Sequence, residues 1–312
     1  MSMARIGLID VDGHNFPNLP LMKLSAWHKQ QGDLVEWYMP FSERYDKVYV
    51  SKVFSFTPDY DYWINADVVV RGGTGYCIET VDGREIFHRD KNVPLPDEVE
   101  HIYPDYSIYS AMTKDTAYGF LTRGCPRGCG FCIVGSKEGR CSVKVADLSE
   151  FWRGQKRIVL CDPNLLACKD WQDLLSQLVA SKALVDFNQG LDIRLMTRAK
   201  ARMLDGIKIK DIHFAWDRYE DKDDIIPKFE MFAEEFTQQP HNHNVTVYIL
   251  TNYNTTLDQD LDRIYTLRLL GYWPFVMVYD RCNADNQYKR LQRWVNMRSV
   301  FMSVERFEQY NG

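Results

Sequence analysis

The chain has 312 residues and a mass of 36.6 kDa, enough for about two domains of ordinary size. Hydrophobic residues make up 45% of it, which allows a sizeable core, and no apolar run approaches the ~20 residues of a bilayer-spanning helix. The net charge of −5 gives no overall basic field, so nonspecific nucleic-acid binding is not favoured. The chain opens without a signal-like segment, and we therefore expect a protein of the reducing cytoplasm.

The first part of the sequence alternates strand-like runs with connecting segments. One helical pattern begins near Leu19 and ends at Gly32. Short apolar runs predict four strands, at Ala4–Val11, Leu34–Tyr38, Lys47–Val50 and Ala66–Val70. This order predicts a small, Rossmann-like parallel α/β domain over residues 1–82. The Gly-rich run from Arg71 to Gly75 follows the last strand, at the end where such sheets bind ligands.

The second part of the sequence repeats a strand-then-helix pattern. Residues 83–115 carry three prolines and little periodicity, which predicts a linker over the surface. Six strands are predicted between residues 116 and 290, at Ala117–Thr122, Arg157–Cys161, Val185–Asn188, Asp211–Ala215, Val245–Leu250 and Pro274–Tyr279. The helical patterns between them are Trp171–Ala183, Lys200–Leu204, Lys228–Phe236 and Leu257–Leu270. Six units are too few for a full eight-stranded barrel, so we predict a partial (β/α)6 barrel with a helical extension over residues 291–312.

Three closely spaced cysteines follow the first of these six strands. Cys125, Cys129 and Cys132 form a C-x-x-x-C-x-x-C run on a Gly- and Pro-rich loop. Soft thiolates select zinc, copper(I) or iron–sulfur clusters. A cubane cluster normally takes four cysteines, one per iron, so a local set of three leaves one iron open to a substrate or cosubstrate. Parallel barrels place their chemistry on the loops after the strand carboxyl ends, which is where this motif lies.

Two other interpretations of the cysteines compete with the cluster. A structural zinc site takes four ligands, usually as two pairs, and no second pair is present. The other cysteines are scattered along the chain, at positions 77, 141, 161, 168 and 282. Disulfide or buried core cysteines are the second alternative, which a reducing compartment disfavours. A non-catalytic zinc or iron–sulfur binding module therefore remains the alternative to an enzyme.

The motif, the aromatic Phe131 before its last cysteine and its place in a sixfold β/α array resemble the radical S-adenosylmethionine enzymes. The resemblance covers roughly Ala117 to Arg290. It implies that the three cysteines ligate a [4Fe–4S] cluster whose open iron chelates S-adenosylmethionine. Reductive cleavage would then release a 5′-deoxyadenosyl radical that abstracts hydrogen from an unidentified substrate. The electron would come from a donor such as flavodoxin or ferredoxin.

The resemblance also implies cofactor contacts after the second predicted strand. Many family members carry Gly-Gly-Glu there, whereas this chain has Cys161-Asp162-Pro163-Asn164. Asp162 would accept a hydrogen bond from the methionyl ammonium group, and Asn164 would assist it. The alternative is a turn in which Asp162 caps the following helix.

Later strand ends carry further candidates. Gln189 lies among polar residues that would project into the barrel mouth after the third strand. Arg194 suits a bidentate grip on a carboxylate, with Asp192 orienting it, although a surface salt bridge is the alternative. Asp217, after the fourth strand, is a candidate to bind ribose hydroxyls. Cys282, after the sixth, is interpreted as a buried inert thiol in preference to a hydrogen donor.

The N-terminal domain resembles, less specifically, the cobalamin-binding module of one subgroup of these enzymes. The match rests on Ile6–Ile9, Phe16–Leu24 and Arg71–Gly73. The Asp-x-His-x-x-Gly signature of a His-ligated corrinoid is missing, so His14 is interpreted as a polar turn residue. Members without the signature bind the corrinoid without a protein ligand, or bind none. Cobalamin therefore stays open, and a cobalamin-dependent radical methyltransferase is the alternative within the class.

Overall fold

The computed structural model describes residues 3–13, 15–81, 84–238 and 245–312, so His14 lies outside the described residues. The chain forms two compact units, one that ends at Ile158 and one that begins at Val159. The domain boundaries predicted after residues 82, 115 and 290 stay predictions. Within the described ranges, no helix has both the length and the apolar character needed to cross a membrane.

The first unit contains a four-stranded parallel sheet followed by shorter elements. The sheet has the strand order β2-β1-β3-β4. Its elements in chain order are β1 (Arg5–Asp10), α1 (Leu19–Gln30), β2 (Leu34–Trp37), β3 (Tyr45–Ser51) and β4 (Ala66–Gly72). After them come β5 (Ile78–Val81), β6 (Arg84–Phe87), α2 (Asp97–Glu100), α3 (Ser110–Thr113), β7 (Thr116–Gly119), β8 (Thr122–Arg123), α4 (Val134–Lys137) and β9 (Val143–Lys144).

The helix α1 covers only one face of this sheet. Ile6 and Leu8 of β1 pack against Leu21 and Leu24 of α1, as the apolar periodicity of both segments requires. The other face is covered by loops without α-helices. Tyr38, Tyr60 and Tyr76 pack there against Tyr45, Val48 and Val50. The four predicted strands and the helix are confirmed, but helices do not cover both faces as in a doubly wound sheet.

The segment predicted as a surface linker has structure of its own. β5 and β6 form an antiparallel hairpin, in which Ile78 pairs with Phe87. α2 and α3 have four residues each, too few to show a helical period in the sequence. Val99 and Tyr109 are buried in hydrophobic clusters with residues of α1. Single buried side chains thus anchor this segment and leave no periodic signal in the sequence, and its assignment as a linker stays a prediction.

The boundary between the units falls within β10 (Arg157–Leu160). β10 belongs to a six-stranded sheet with the order β14-β13-β12-β11-β10-β7. The remaining elements are α5 (Trp171–Ser181), β11 (Leu184–Phe187), α6 (Arg198–Asp205), β12 (Lys208–Ala215), α7 (Lys222–Glu235), β13 (Val245–Thr251), α8 (Leu257–Leu269), β14 (Trp273–Val278), α9 (Asn286–Asn296) and α10 (Arg298–Ser303). Adjacent strands from β11 to β14 are parallel.

The second unit has the repeated strand-then-helix architecture that the sequence predicts. Phe214 of β12 contacts Phe229 and Phe232 of α7 edge to face, with ring centroids 5.9 Å and 5.0 Å apart. All three rings are buried. Every predicted strand and helix of this unit is present. The helix α7 begins at Lys222, six residues before the predicted start at Lys228, and it contains Pro227. The mixed α/β class with parallel sheets is therefore confirmed.

Candidate functional site

The cysteine motif lies on a loop with a two-stranded base. The sequence predicts one strand from Ala117 to Thr122 that runs directly into the motif, but β7 ends at Gly119. β8 then pairs with β9, which follows the loop, through Thr122 with Lys144 and Arg123 with Val143. Thr122 and Arg123 thus belong to a ladder that brings both ends of the loop together. Each strand of this ladder has two residues, so local patterns do not reveal it.

Backbone contacts close the loop above this ladder. Gly124 has φ = +85°, and a Cβ atom there would lie 2.1 Å from the carbonyl oxygen of Cys141. The backbone N–H of Cys125 donates to the carbonyl of Gly139 at 3.1 Å, and that of Cys132 donates to the carbonyl of Cys129 at 3.1 Å. Only glycine fits the left-handed, closely packed position at Gly124. The loop therefore depends on its backbone, and Gly124 is a required part of it.

The loop presents its thiols at an accessible surface. Cys125, Cys129 and Phe131 are half-buried, and Cys132 is exposed. Beside the loop, Arg123 and Lys137 form ion pairs with Glu138 at 3.3 Å and 3.4 Å.

Over the residues that the structure describes, no group of three or more His, Cys, Asp and Glu side chains is arranged to hold a metal ion. Such an arrangement has donors that converge on one ion. In a cubane cluster each cysteine binds a different iron, so its thiolates need not converge in this way. The soft donor set and the exposure of the loop fit an iron–sulfur cluster.

In the second unit, polar side chains are buried after β10. Asp162 and Asn164 are 4% and 3% exposed. The N-cap positions of the next 3-10 helix and of α5 are Asn164 and Asp170. Burial of a carboxylate is costly unless it has partners, and Asp162 is engaged in an interaction in the structure.

A chain of hydrogen bonds links this position to the loop after β11. The amide of Asn164 donates to Asp192 Oδ2 at 3.4 Å. Asp192 accepts from Arg194 Nε at 2.8 Å and from Arg194 Nη2 at 3.3 Å, while Arg194 Nη1 donates to Asp221 at 3.0 Å. Burial alone would lower the pKa of Arg194. Its hydrogen bonds and charge interactions with Asp192 and Asp221 outweigh this effect, so its pKa is raised. Arg194 is therefore a half-buried residue held by Asp192 and Asp221, and the roles predicted for Arg194 and Asp192 in a ligand site stay predictions.

The loop after β11 turns sharply at Gly190. This residue has φ = +83°, and a Cβ atom there would lie 2.8 Å from the carbonyl oxygen of His213 on β12. The N–H of Leu191 donates to that same carbonyl. Gln189, at the outside of the turn, is exposed, so the structure does not bring it into the buried cluster.

A fully buried ion pair lies beneath the ends of β12 and β13. Arg263 and Asp260, both on α8, are 0% exposed. Arg263 donates to the carbonyls of Trp216 and Leu250, the latter at 2.8 Å, and to Asp260 Oδ1. Sequence reasoning missed this pair, although an Asp and an Arg three residues apart on a helix are a recognisable signal.

Asp217 lies two residues after the end of β12. Burial raises its pKa above the ordinary 3.8, while the charges of Arg263 and Arg194 partly oppose this shift. Asp217 therefore interacts electrostatically with both arginines. Its predicted role toward ribose hydroxyls stays a prediction.

The loops after β13 and β14 contain unusual backbone conformations. Asn252, Asn254 and Asp280 have φ values of +60°, +52° and +44°. The amide of Asn252 donates to the carbonyl of Tyr279 at 2.9 Å, which joins the two loops. Non-glycine residues in the left-handed region cost free energy and concentrate at functional sites. Cys282 in the second loop is exposed, so its interpretation as a buried thiol was wrong.

Comparison with known proteins supports the fold alone. No protein-family model matches the sequence, and no curated protein matches it. The fold is similar to that of TsrM from Kitasatospora setae, a radical S-adenosylmethionine methyltransferase solved with cobalamin and a [4Fe–4S] cluster bound. The TM-score is 0.59 at 10% sequence identity, over 89% of this chain and 75% of that chain. This chain thus has a mixed α/β fold of the kind found in a radical S-adenosylmethionine enzyme.

We predict that Gly124→Ala destabilises the first unit more than Gly139→Ala does. Both glycines have positive φ, but a Cβ at Gly139 meets nothing within 4 Å. Left-handed strain costs roughly 1–2 kcal/mol in both variants, and displacing the Cys141 carbonyl adds about 1–3 kcal/mol to Gly124→Ala. Urea unfolding measures the difference. Equal free energies of unfolding would contradict the backbone closure of the loop.

We predict that the stability difference between Asp217→Asn and the wild type depends on pH. Because burial raises the pKa of Asp217, the folded state favours its protonated form, and ionisation at neutral pH weakens folding. The neutral Asn variant therefore gains most relative to the wild type at neutral pH. This gain shrinks as the pH falls toward the ordinary value of 3.8. Thermal unfolding over this range measures it, and a gain that grows on acidification would contradict the shift.

Proposed function

We propose that this protein is a radical S-adenosylmethionine enzyme that acts on a substrate still to be identified. The observation that carries the proposal is the C-x-x-x-C-x-x-C loop after the strand β7, in a chain whose fold is similar to that of a radical S-adenosylmethionine methyltransferase. Neither observation alone is sufficient, because a fold does not determine a function and three cysteines also suit other metals.

Cys125, Cys129 and Cys132 would hold the [4Fe–4S] cluster. Bound there, the cluster supplies one-electron reduction and cleavage of S-adenosylmethionine, with the electron coming from a donor such as flavodoxin or ferredoxin. The loop would contribute three cysteine side chains and a closed backbone. Phe131, half-buried beside the last cysteine, would shield one side of the site from water.

Polar residues at the strand ends of the second unit would bind S-adenosylmethionine. Asp162 and Asn164 are buried and would accept hydrogen bonds from the methionyl ammonium group. Asp217 would accept from the ribose hydroxyls, since a carboxylate accepts two hydrogen bonds. Gln189 is exposed on the neighbouring turn, and we assign it a contact at the rim of the site.

Arg194 would act through Asp192. Its Nε, Nη1 and Nη2 atoms already bond Asp192 and Asp221, which leaves little capacity for a ligand carboxylate. Asp192 is in turn bonded to Asn164. We therefore propose that Arg194 fixes Asp192, and that Asp192 fixes the amide of Asn164 for the cofactor.

We predict that Cys129→Ala loses the cluster and all cleavage of S-adenosylmethionine. After anaerobic reconstitution, iron and sulfide content and the dithionite-bleachable visible absorption report the cluster, and formation of 5′-deoxyadenosine reports cleavage. Cys282→Ala is the matched control, because Cys282 is also exposed but lies outside the motif. A wild-type protein that binds one zinc, or that binds iron without cleaving the cofactor, would instead support the non-catalytic binding module.

We also predict that Cys141→Ala keeps both the cluster and the cleavage activity. Cys141 is exposed and lies outside the motif. Its carbonyl lies against Gly124, so the closure of the loop brings Cys141 beside the motif. The proposed mechanism needs one iron without a protein thiolate. Loss of iron in Cys141→Ala would indicate four cysteine ligands and a closed cluster, and would overturn the proposal.

A cobalamin-dependent radical methyltransferase is the second candidate. The structure with a similar fold contains cobalamin, and parallel sheets bind ligands where the strand order reverses, between β1 and β3 here. The connection after β3 carries Phe54 and Phe56, stacked and exposed, which fit the flat apolar face of a corrinoid. Anaerobic purification with added cobalamin, followed by its spectrum in the protein fraction, decides between the candidates.

A further inference from the structure

β4 forms an open edge of the four-stranded sheet in the first unit. It pairs with β3 over seven residues, from Ala66 to Gly72. Among the described residues, no strand pairs with its other side. An open edge presents unpaired backbone N–H and C=O groups and is a template for pairing with another chain.

The side chains of this edge are unusually apolar for an exposed strand. Val68 and Val69 are 46% and 40% exposed, and Asp67 and Arg71 flank them at the surface. Soluble proteins commonly protect such edges with lysine, proline or a bulge. β4 has neither lysine nor proline, and it pairs with β3 in one constant register.

The backbone of three residues points toward the open side. The carbonyl of Gly72 accepts from the N–H of Lys52 and therefore points toward β3. Backbone groups alternate in direction along a strand, so those of Asp67, Val69 and Arg71 point away from β3. Their side chains also share one face of the sheet, because they are two residues apart.

The charges on this edge are symmetric about Val69. Asp67 lies two residues before it and Arg71 two residues after it. In an antiparallel pair centred on Val69, Asp67 of each strand lies opposite Arg71 of the other, and Val69 lies opposite its own copy. Opposite charges directly across an antiparallel pair are stabilising.

We propose that β4 pairs with β4 of a second copy of this chain, antiparallel and centred on Val69, to form a two-fold symmetric dimer. The contact is self-complementary, as a two-fold interface requires. The residues that point outward, Asp67, Val69 and Arg71, exchange ~6 backbone hydrogen bonds with their copies. The proposal is independent of the proposed enzymatic function.

Other pairings of the same edge are less favourable. A parallel, in-register pair places Asp67 beside Asp67 and Arg71 beside Arg71, so that like charges oppose each other. If the antiparallel pair is instead centred on Val68 or on Val70, a charged side chain lies opposite Val69. Only the register centred on Val69 matches both charges and the valines.

The interactions that Asp67 and Arg71 already make within the chain are weak, so both residues can also contact a second copy. Asp67 contacts Arg44 Nη2 at 2.5 Å, with both side chains more than half exposed. Arg71 Nη2 donates to the carbonyl of Tyr60 at 3.5 Å. Exposed ion pairs contribute at most about 1 kcal/mol, so dimerisation need not break a strong interaction.

Sedimentation velocity of the full chain over a concentration series, with reductant present to exclude disulfides, tests this proposal. We expect a reversible dimer for the wild type. Asp67→Arg and Arg71→Asp each replace two attractive contacts by repulsive ones and should weaken the dimer by about tenfold or more. The double variant Asp67→Arg/Arg71→Asp restores the opposite charges and should dimerise like the wild type.

A mixture of the two single variants is the most specific test. Asp67→Arg has arginines at both positions and Arg71→Asp has aspartates at both, so opposite charges meet only when the two variants pair with each other. We expect a heterodimer from variants that do not self-associate. Arg44→Gln is the control, since it removes the present partner of Asp67 and should leave the dimer unchanged. Circular dichroism confirms folding of each variant. A monomeric wild type, single variants that dimerise normally, or a mixture that stays monomeric would each overturn the proposal.

Discussion

The candidate site of the second unit depends on the hydrogen bonds that the buried guanidinium of Arg263 donates. It donates to the carbonyl of Trp216, which follows β12, to that of Leu250, near the end of β13, and to Asp260. Strand ends in a parallel sheet leave carbonyl groups that the next loop must satisfy. Arg263 satisfies two of them from one helix, which fixes the points where the loops after β12 and β13 begin. Removing a single member of such a buried pair typically costs ~3–5 kcal/mol.

The cysteine loop depends on a different constraint, the close backbone contact between Gly124 and Cys141. The sequence displays the ligand candidates, because cysteine spacing is local, but it does not display the closure of the loop. That closure joins segments separated by the whole motif. The same reason explains why β8 and β9 were missed, and why the strand predicted from Ala117 to Thr122 ends at Gly119. Two-residue strands carry no periodicity.

The repeated strands and helices of the second unit were predictable because each carries its own signal. Buried residues alternate along β12 and β13, and the apolar faces of α5 and α8 recur at helical spacing. The candidate site was only partly predictable. The sequence indicated Asp162, Asp192 and Asp217 because they lie in the loops that follow strands. It did not indicate Asp221 or Arg263, whose positions follow from tertiary packing. Gln189 followed a strand too, but the turn at Gly190 leaves it exposed.

The balance of charge at these strand ends bears on what they bind. Aspartates and cations lie close together there: Asp162, Asp192, Asp217, Asp221 and Asp260 are found with Arg194, Lys200, Arg218, Lys222 and Arg263. The Lys200 ammonium donates to the carbonyls of Leu166 and Leu195, and its burial lowers its pKa. Burial also raises the pKa of Asp217 and of Asp260, although the charge of Arg263 opposes the shift in both, so both carboxylates lie in a poorly solvated place. A nearby cationic group would stabilise their ionised forms, whereas an anionic group would destabilise them further. The proposed ligand, S-adenosylmethionine, carries a sulfonium and an ammonium group besides its carboxylate, so it could supply such a charge.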